Sequence, residues 1–340
     1  MSRHVYQSSG GGHIYCPLEV DARIIQSATP HFARQLSSKY SEMSASQVQK
    51  DLSRNHGRKV SSDYIQKVSG EVGDLIERKE KEWTYSLPSE VVDSELVSIG
   101  RDGTTMPIRG KGYRETMNGT ISFYDKTGIR IHTIYLACAP EYGKSKFNSR
   151  FTEEINNVKT QLSNQSHYIG LADGAKENWT FLEQHVQTSI LDYWHVCEYL
   201  SKASKAFSKS KKAQKNWAKQ ARKKLKNNKT GSRFLLKEMR GFLKKKLSAK
   251  VREELQQAIT YFVNHLHQMS YKEQINLNHP IGSGVTEAAC KVIVKQRTNQ
   301  SGMRWNIDTA QKVLNIRALY RTNGRWIQFW DKVDQVGIVV

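Results

Sequence analysis

From Pro17 to Leu87 apolar residues return at every third or fourth position without strand-like alternation, the period of amphipathic helices. Within the stretch SASQVQKDLSRNHGRKVSSDYIQKVSGEV, a helix starting near Ser44 presents Val48 and Leu52. The chain then turns at Asn55, His56 and Gly57, and Val60 fills the corner. A cap at Ser61 or Ser62 opens a second helix, which buries Ile65, Val68 and Val72. This is the layout of a helix-turn-helix, and the exposed start of its second helix would offer Ser62, Asp63, Gln66 and Lys67 to a major groove. Helical hairpins with a glycine turn are also common in proteins that never meet DNA, so both readings stay open at this point.

After Pro88 the period changes. ELVSIGRDG, GTISFYDK and GIRIHTIYLACA are rich in Val, Ile, Thr, Tyr and Phe, and the turn-like DKTG joins the last two, which predicts an antiparallel meander. A helix is expected from about Ser149 to Leu162, then a strand in HYIGLADGA, a helix in NWTFLEQHV and a strand in TSILDYW. Three paired strands followed by alternating helices and strands predict an α/β sheet of mixed strand order. A lysine-rich helical segment interrupts this sheet domain before HPIGSGVTEAACK resumes it. The segment ending in GRWIQFW supplies closing helices with large aromatic surfaces.

Charge changes the picture more than composition does. The chain is 340 residues long with 38% hydrophobic content, enough for two or three domains and a buried core. Its net charge of +21 is concentrated between Lys202 and Arg252, where 20 Lys or Arg face a single acid, Glu238, while the remainder is nearly neutral. Such a block repels itself unless a polyanion is near, which points to nucleic acid. Phe207, Trp217, Leu225, Phe234, Leu235, Phe242, Leu243 and Leu247 punctuate the block. They predict packed helices with basic outer faces, on which Lys211, Lys212, Lys223, Lys224, Lys244 and Lys245 would meet phosphates without reading sequence. A purely solvated lysine face is the competing reading.

The N-terminus lacks an apolar leader and no run of about 18 apolar residues occurs, so residence in the cytoplasm, without a membrane partner, is the expectation. Cys16, Cys138, Cys197 and Cys290 are widely spaced, as in a reducing compartment. His13 and Cys16, with His4, could approach a metal, but a fourth ligand at a useful spacing is missing, and a Gly-rich lead-in is the simpler reading.

Three acids stand out by placement: Asp102 in GRDGTT, Asp173 in GLADGA, and Glu287 opening the helix of GVTEAACKVIVKQR. An acid ending a strand before Gly usually caps a turn, so each aspartate alone is ordinary. Jointly they are not, because the first and fourth strands of a mixed sheet can lie side by side. Two carboxylates brought together there need a cation between them, and hard oxygen ligands select Mg²⁺ or Mn²⁺. Arg101 directly precedes Asp102, and strand alternation sends it to the opposite face. Cys290, one turn after Glu287, has no partner His in a matching motif and reads as packing.

VSIGRDGTTMPIR, NGTISFYDKTGIRIHTIYLACAPEYGK, YIGLADGAKENWTFLE, ILDYWHVCEYL, GSGVTEAACKVIVKQR and SGMRWN, in this order, resemble the DDE-type transposases of bacterial insertion sequences, and among them the ISKra group. The resemblance covers most of the chain from Pro17 to Trp330. It implies an RNase H-like mixed-sheet catalytic core (residues 91–198 and 277–340), interrupted by an all-α insertion domain (199–276) and preceded by an all-α helix-turn-helix domain (1–90). The implied triad falls on Asp102, Asp173 and Glu287, holding two Mg²⁺ ions, with Mn²⁺ as substitute. Asp192 and His195 resemble an Asp-x-x-His signature beside the active site. Lys291 and Lys295, at i+4 and i+8 from Glu287, would lie along the flanking DNA backbone. The implied activity is metal-dependent cleavage at the terminal inverted repeats and strand transfer into target DNA, by a nucleoid-associated homodimer or higher homo-oligomer on paired ends. An RNase H-like nuclease without strand transfer, or a non-catalytic DNA-binding protein derived from a transposase, are the alternatives.

Overall fold

A computed structural model describes residues 4–12, 14–162 and 165–338. The longer N-terminal helices start where a hydroxyl can satisfy their free amides. After α1 (Pro17–Asp21), Thr29 caps α2 (Pro30–Glu42), and Ser44 forms a reciprocal capping box with Gln47 at the start of α3 (Ala45–His56). Gly57 closes α3 in the left-handed conformation, and Ser61 caps α4 (Ser62–Lys79). Val48, Leu52, Ile65, Val68 and Val72 are all buried, as their spacing predicts.

A short helix, α5 (Ser89–Val92), leads into β1 (Leu96–Ile108), β2 (Gly112–Tyr124) and β3 (Arg130–Cys138). There follow α6 (Ser145–Gln161), β4 (His167–Ala172), α7 (Lys176–Leu182), β5 (Thr188–Leu191) and α8 (Tyr193–Phe207). The strands form one mixed sheet in the order β3-β2-β1-β4-β5, antiparallel through the first three and parallel from β1 to β4 and from β4 to β5. The chain is thus α/β with a five-stranded mixed sheet flanked by helices, an architecture compatible with an RNase H-like core.

The two faces of this sheet differ in chemistry. Along β2, Met117, Ile121 and Phe123 join Phe147, Phe151 and Ile155 of α6 in one apolar core. Gly119 on that face is required by proximity, since a Cβ there would stand 2.7 Å from the Phe151 ring. The alternate residues Thr116, Asn118, Thr120 and Ser122 are equally buried but polar. They face a helix made of α13 (Gly284–Ala289), a π-helical segment (Cys290–Lys295) and α14 (Gln296–Thr298). Thr120 and Thr286 hydroxyls meet at 2.7 Å across that interface. A Cβ on Gly100 would come within 1.9 Å of Thr286 Oγ1, so glycine lets the helix press onto β1 two residues before Asp102.

β1 does not stop near Gly103 but continues to Ile108, and β2 begins at Gly112 rather than Gly119. Met106 and Ile108 extend the alternation and bury beside Trp305, whose backbone bridges the strand through Pro107 O and Arg109 N. Two helices close the chain, α15 (Ile307–Arg321) and α16 (Arg325–Val336). Leu36, Val48 and Ile65 share one apolar cluster with Val313, Leu314, Phe329 and Trp330, so the N-terminal helices have no core of their own.

The lysine-rich block folds as α9 (Lys211–Asn227), α10 (Gly231–Phe242) and α11 (Ala249–His265), followed by α12 (Tyr271–Asn276). α8 runs unbroken from the sheet into this block, across the 198/199 junction. Trp217, Leu225, Leu235 and Phe242 form its buried seam, and Trp217 Nε1 donates to the lone acid Glu238 at 2.8 Å. Phe207 and Phe234, expected inside, are 38% and 49% exposed. Lysines cover them instead, Lys245 on the Phe207 ring and Lys224 at 3.6 Å from the Phe234 centroid. Among the described residues no helix is long and apolar enough to cross a membrane.

Candidate active site

The β1–β4 ladder ends with the pair Gly100↔Leu171. Asp102 and Asp173 each lie two residues farther along, so parallel pairing brings two carboxylates distant in sequence to equivalent places at one edge. Asp102 is partly buried. Its Oδ1 accepts from Gly103 N at 2.7 Å and its Oδ2 lies 3.5 Å from Cys290 Sγ. Burial pushes the Asp102 carboxyl above the usual carboxylate range, outweighing the Gly103 bond, and the charges of Asp173 and Glu287 push the same way. Arg101, as alternation predicts, points to the other face.

There Arg101 does something the sequence did not suggest. It is 2% exposed, lies 5.6 Å from the ring centroids of Phe147 and Phe181, and donates Nη1 to Asn178 Oδ1 at 2.8 Å. With its oxygen thus taken, the Asn178 amide turns Nδ2 toward Asp173 Oδ1, at 2.9 Å. Ala175 N donates to the same oxygen and Trp179 Nε1 holds the Asp173 carbonyl. The first acid therefore stands beside the residue that, through one amide, orients the second.

Glu287 sits one turn into α13, half exposed, within 3.1 Å of Ser283 Oγ. Ser283 also contacts Asp192 Oδ2, at 2.5 Å through its N–H and 2.6 Å through its hydroxyl. The Ser283 hydroxyl thus stands between two carboxylates, nearer to Asp192. Asp192 is fully buried and caps α8 through Trp194 N and His195 N, so it locks the start of α13 to the end of β5. His195 Nε2 faces Glu287 Oε1 at 3.9 Å. The α11 residue Tyr261 reaches the same edge: a Cβ on Gly174 would stand 2.3 Å from its ring. Tyr199 stacks on Tyr261 at 3.8 Å, and burial pushes the Tyr261 phenol up.

Asn118, the β2 partner of Asp102 in register, is fully buried with neither amide atom bonded. Directly opposed residues of an antiparallel pair share a face, so this amide lies beside the Asp102 carboxylate. Among the described residues no three His, Cys, Asp or Glu side chains close on one point as a finished metal cage. His13 lies outside the described residues, and Cys16 is buried at the start of α1.

The other expected residues fall on surfaces. Asp63, Gln66 and Lys67 are exposed at the start of α4, while Ser62 is half-buried and bonded to Gln49. Lys291, Lys295, Lys211, Lys212, Lys223 and Lys244 are exposed. Lys245 is exposed too but donates to Phe207 O, and Lys224 is half-buried. The π-helical segment from Cys290 to Lys295 replaces the regular helix assumed for the Lys291 and Lys295 spacing. Asn118, Asn178 and Ser283 escaped the sequence reading, and Cys290, read as packing, also lies against Asp102 Oδ2. A signal for Asn118 exists in the polar period-two stripe TMNGTIS, and for Cys290 in its i+3 spacing from Glu287. Asn178 and Ser283 act through tertiary contacts with no local signature. A scan against protein-family models finds no match, and a search among curated proteins finds none.

Proposed function

We propose that the chain is a DDE-type insertion-sequence transposase that binds terminal inverted repeats, cuts DNA at the element ends and joins them to target DNA. The supporting observation is the β1–β4 pairing that sets Asp102 and Asp173 at equivalent positions beneath the helix bearing Glu287. Three carboxylates and an unbonded amide make a hard-oxygen donor set of the kind that suits Mg²⁺ or Mn²⁺. Asp102 is held up first by burial and then by the charges of Asp173 and Glu287, and a divalent cation bound there would offset both. Asp102, Asp173 and Glu287 would hold two such ions, whose chemistry when bound is to activate an attacking oxygen and stabilise a departing one.

The chain's own residues prepare that site. Asn178 fixes one oxygen of Asp173 and leaves the other free. Asp192, through Ser283, anchors the helix that presents Glu287, and His195 places Nε2 where it can hold a proton beside Glu287. In the first step a water oxygen bonds to phosphorus as the P–O3′ bond breaks, freeing a 3′-hydroxyl. In the second, that hydroxyl oxygen attacks a target phosphodiester and displaces the target 3′-oxygen. The α3–α4 hairpin would contact the repeats and the α9–α11 lysines the phosphate backbone. Joining two ends calls for a homodimer or larger homo-oligomer.

The test is Mg²⁺- or Mn²⁺-dependent cutting of a duplex carrying the repeats found beside the gene, with plasmid joining scored in the same reaction. Asp102→Asn, Asp173→Asn and Glu287→Gln should each abolish cutting and spare binding. Cutting that survives all three substitutions removes the proposed site. Cutting without joined products favours the nuclease reading.

A further inference from the structure

Beyond Asp102 the sheet narrows. The β4 ladder ends at Leu171 and the β3 ladder at the Met117↔Cys138 pair, while β1 and β2 stay paired to Ile108↔Gly112. A two-stranded ribbon therefore projects past the acids, six residues or about 20 Å at the usual strand rise. Its tip is cationic. Arg109, Lys111 and Arg114 are exposed, and among the described residues no ion pair engages them. The one acid on the ribbon past Asp102, Glu115, is already paired with Lys144 at 2.8 Å. Gly110 and Gly112 have positive φ, which keeps the tip compact, and Tyr113 is 63% exposed beside them. The tip is also braced. Arg109 N donates to Trp305 O at 2.9 Å, Trp305 N to Pro107 O at 3.0 Å, and Asn299 Nδ2 to Thr105 O at 3.0 Å. The bracing loop adds a further exposed cation, Arg304.

We infer that this ribbon is a DNA arm: its tip grips the phosphate backbone of duplex DNA about 20 Å, or roughly six base pairs, from the phosphate that lies at the acids. The inference rests on the transposase reading for the identity of the polyanion. A braced cationic tip on the strand that carries Asp102 meets no ion-pair partner among the described residues, and its charges suit phosphates. It is separate from the lysine-rich helices, which belong to the other half of the sheet.

The full chain is titrated with a linear duplex over a range of salt, without divalent ions, beside the triple variant Arg109→Gln, Lys111→Gln, Arg114→Gln. The slope of log affinity against log salt should shrink by about 0.9 for each lost phosphate contact. Photo-crosslinking from p-benzoylphenylalanine at position 113 should label the duplex. Because the tip is exposed, the variant's unchanged melting temperature is the check on folding. Steep salt-dependent binding by the parent with an unchanged slope in the variant and no crosslink overturns the arm alone. Failure of the parent to bind duplex DNA at any salt overturns the transposase reading and the arm with it.

Discussion

The acidic edge of the sheet and the lysine-rich helices handle like charges in opposite ways. At the edge, β1–β4 pairing sets Asp102 and Asp173 at equivalent positions, and Asp102 is held above its ordinary range by burial and by the charges of Asp173 and Glu287. In α9–α11 the cations are spread outward from a buried seam of Trp217, Leu225, Leu235 and Phe242. Crowded charge in a low-dielectric place stores a demand for a specific, compact counterion; dispersed surface charge attracts any polyanion and is screened by salt. On the proposed reading, the first arrangement would serve chemistry and the second would hold DNA.

The largest effect that would break this contrast is catalytic. Asp102→Asn should lower metal-dependent cutting by about a thousandfold or more, the scale of several kcal/mol of lost charge stabilisation, with duplex affinity unchanged in a gel-shift titration. A variant that loses both together would merge the two regions. Next in size, replacing Lys211, Lys212, Lys223 and Lys244 by Gln should reduce the salt slope of binding by about 0.9 each while leaving divalent-ion binding, followed by calorimetry, unaltered. Lys224 and Lys245 sharpen this. Each already lies on an aromatic ring, so Gln there should change the slope less and cost the fold about 0.5–1 kcal/mol in denaturant titration.

Gly174 is where the two regions touch. An alanine Cβ would strike the Tyr261 ring, and Gly174→Ala should cost about 1–3 kcal/mol in thermal unfolding, a cost that the additional change Tyr261→Ala should partly relieve. The smallest effect concerns pH. With a folded Asp102 raised above its unfolded counterpart, the unfolded chain releases its proton first as pH rises, and the folded state loses stability from the ordinary carboxylate range up to the raised value. Asp102→Asn should therefore melt higher than the parent at neutral pH and alike below the carboxylate range. Added Mn²⁺ should stabilise the parent more than the variant.

Much of this was legible before any coordinates. The caps at Ser44 and Ser61, the buried set from Val48 to Val72 and the opposed faces of Arg101 and Asp102 follow from local spacing, because capping and pleat are short-range rules. The extension of β1 to Ile108 lies beyond ELVSIGRDG, the segment whose β-type composition marks the strand. The ribbon tolerates Pro107 because its backbone faces away from β2: the Pro107 carbonyl accepts from Trp305 N, so the missing N–H costs the β1–β2 ladder no bond. Phe207 and Phe234 look like core by composition, yet they stay at the surface, each with a lysine over its ring.

By itself the sequence determined which residues carry charge, where the helices of the N-terminal hairpin begin, which strand faces are apolar and that Asp173 and Glu287 sit at element ends. All of these depend on neighbours a few positions away. Asp102, expected at a strand end, lies within the longer β1. Only the tertiary structure decided that β1 lies beside β4, that Arg101 reaches Asp173 through Asn178, that Asp192 fastens the helix of Glu287 through Ser283, and that a basic ribbon extends past the acids. Those partners are tens of residues apart or more. Their meeting is set by sheet order and helix packing, which no local period encodes.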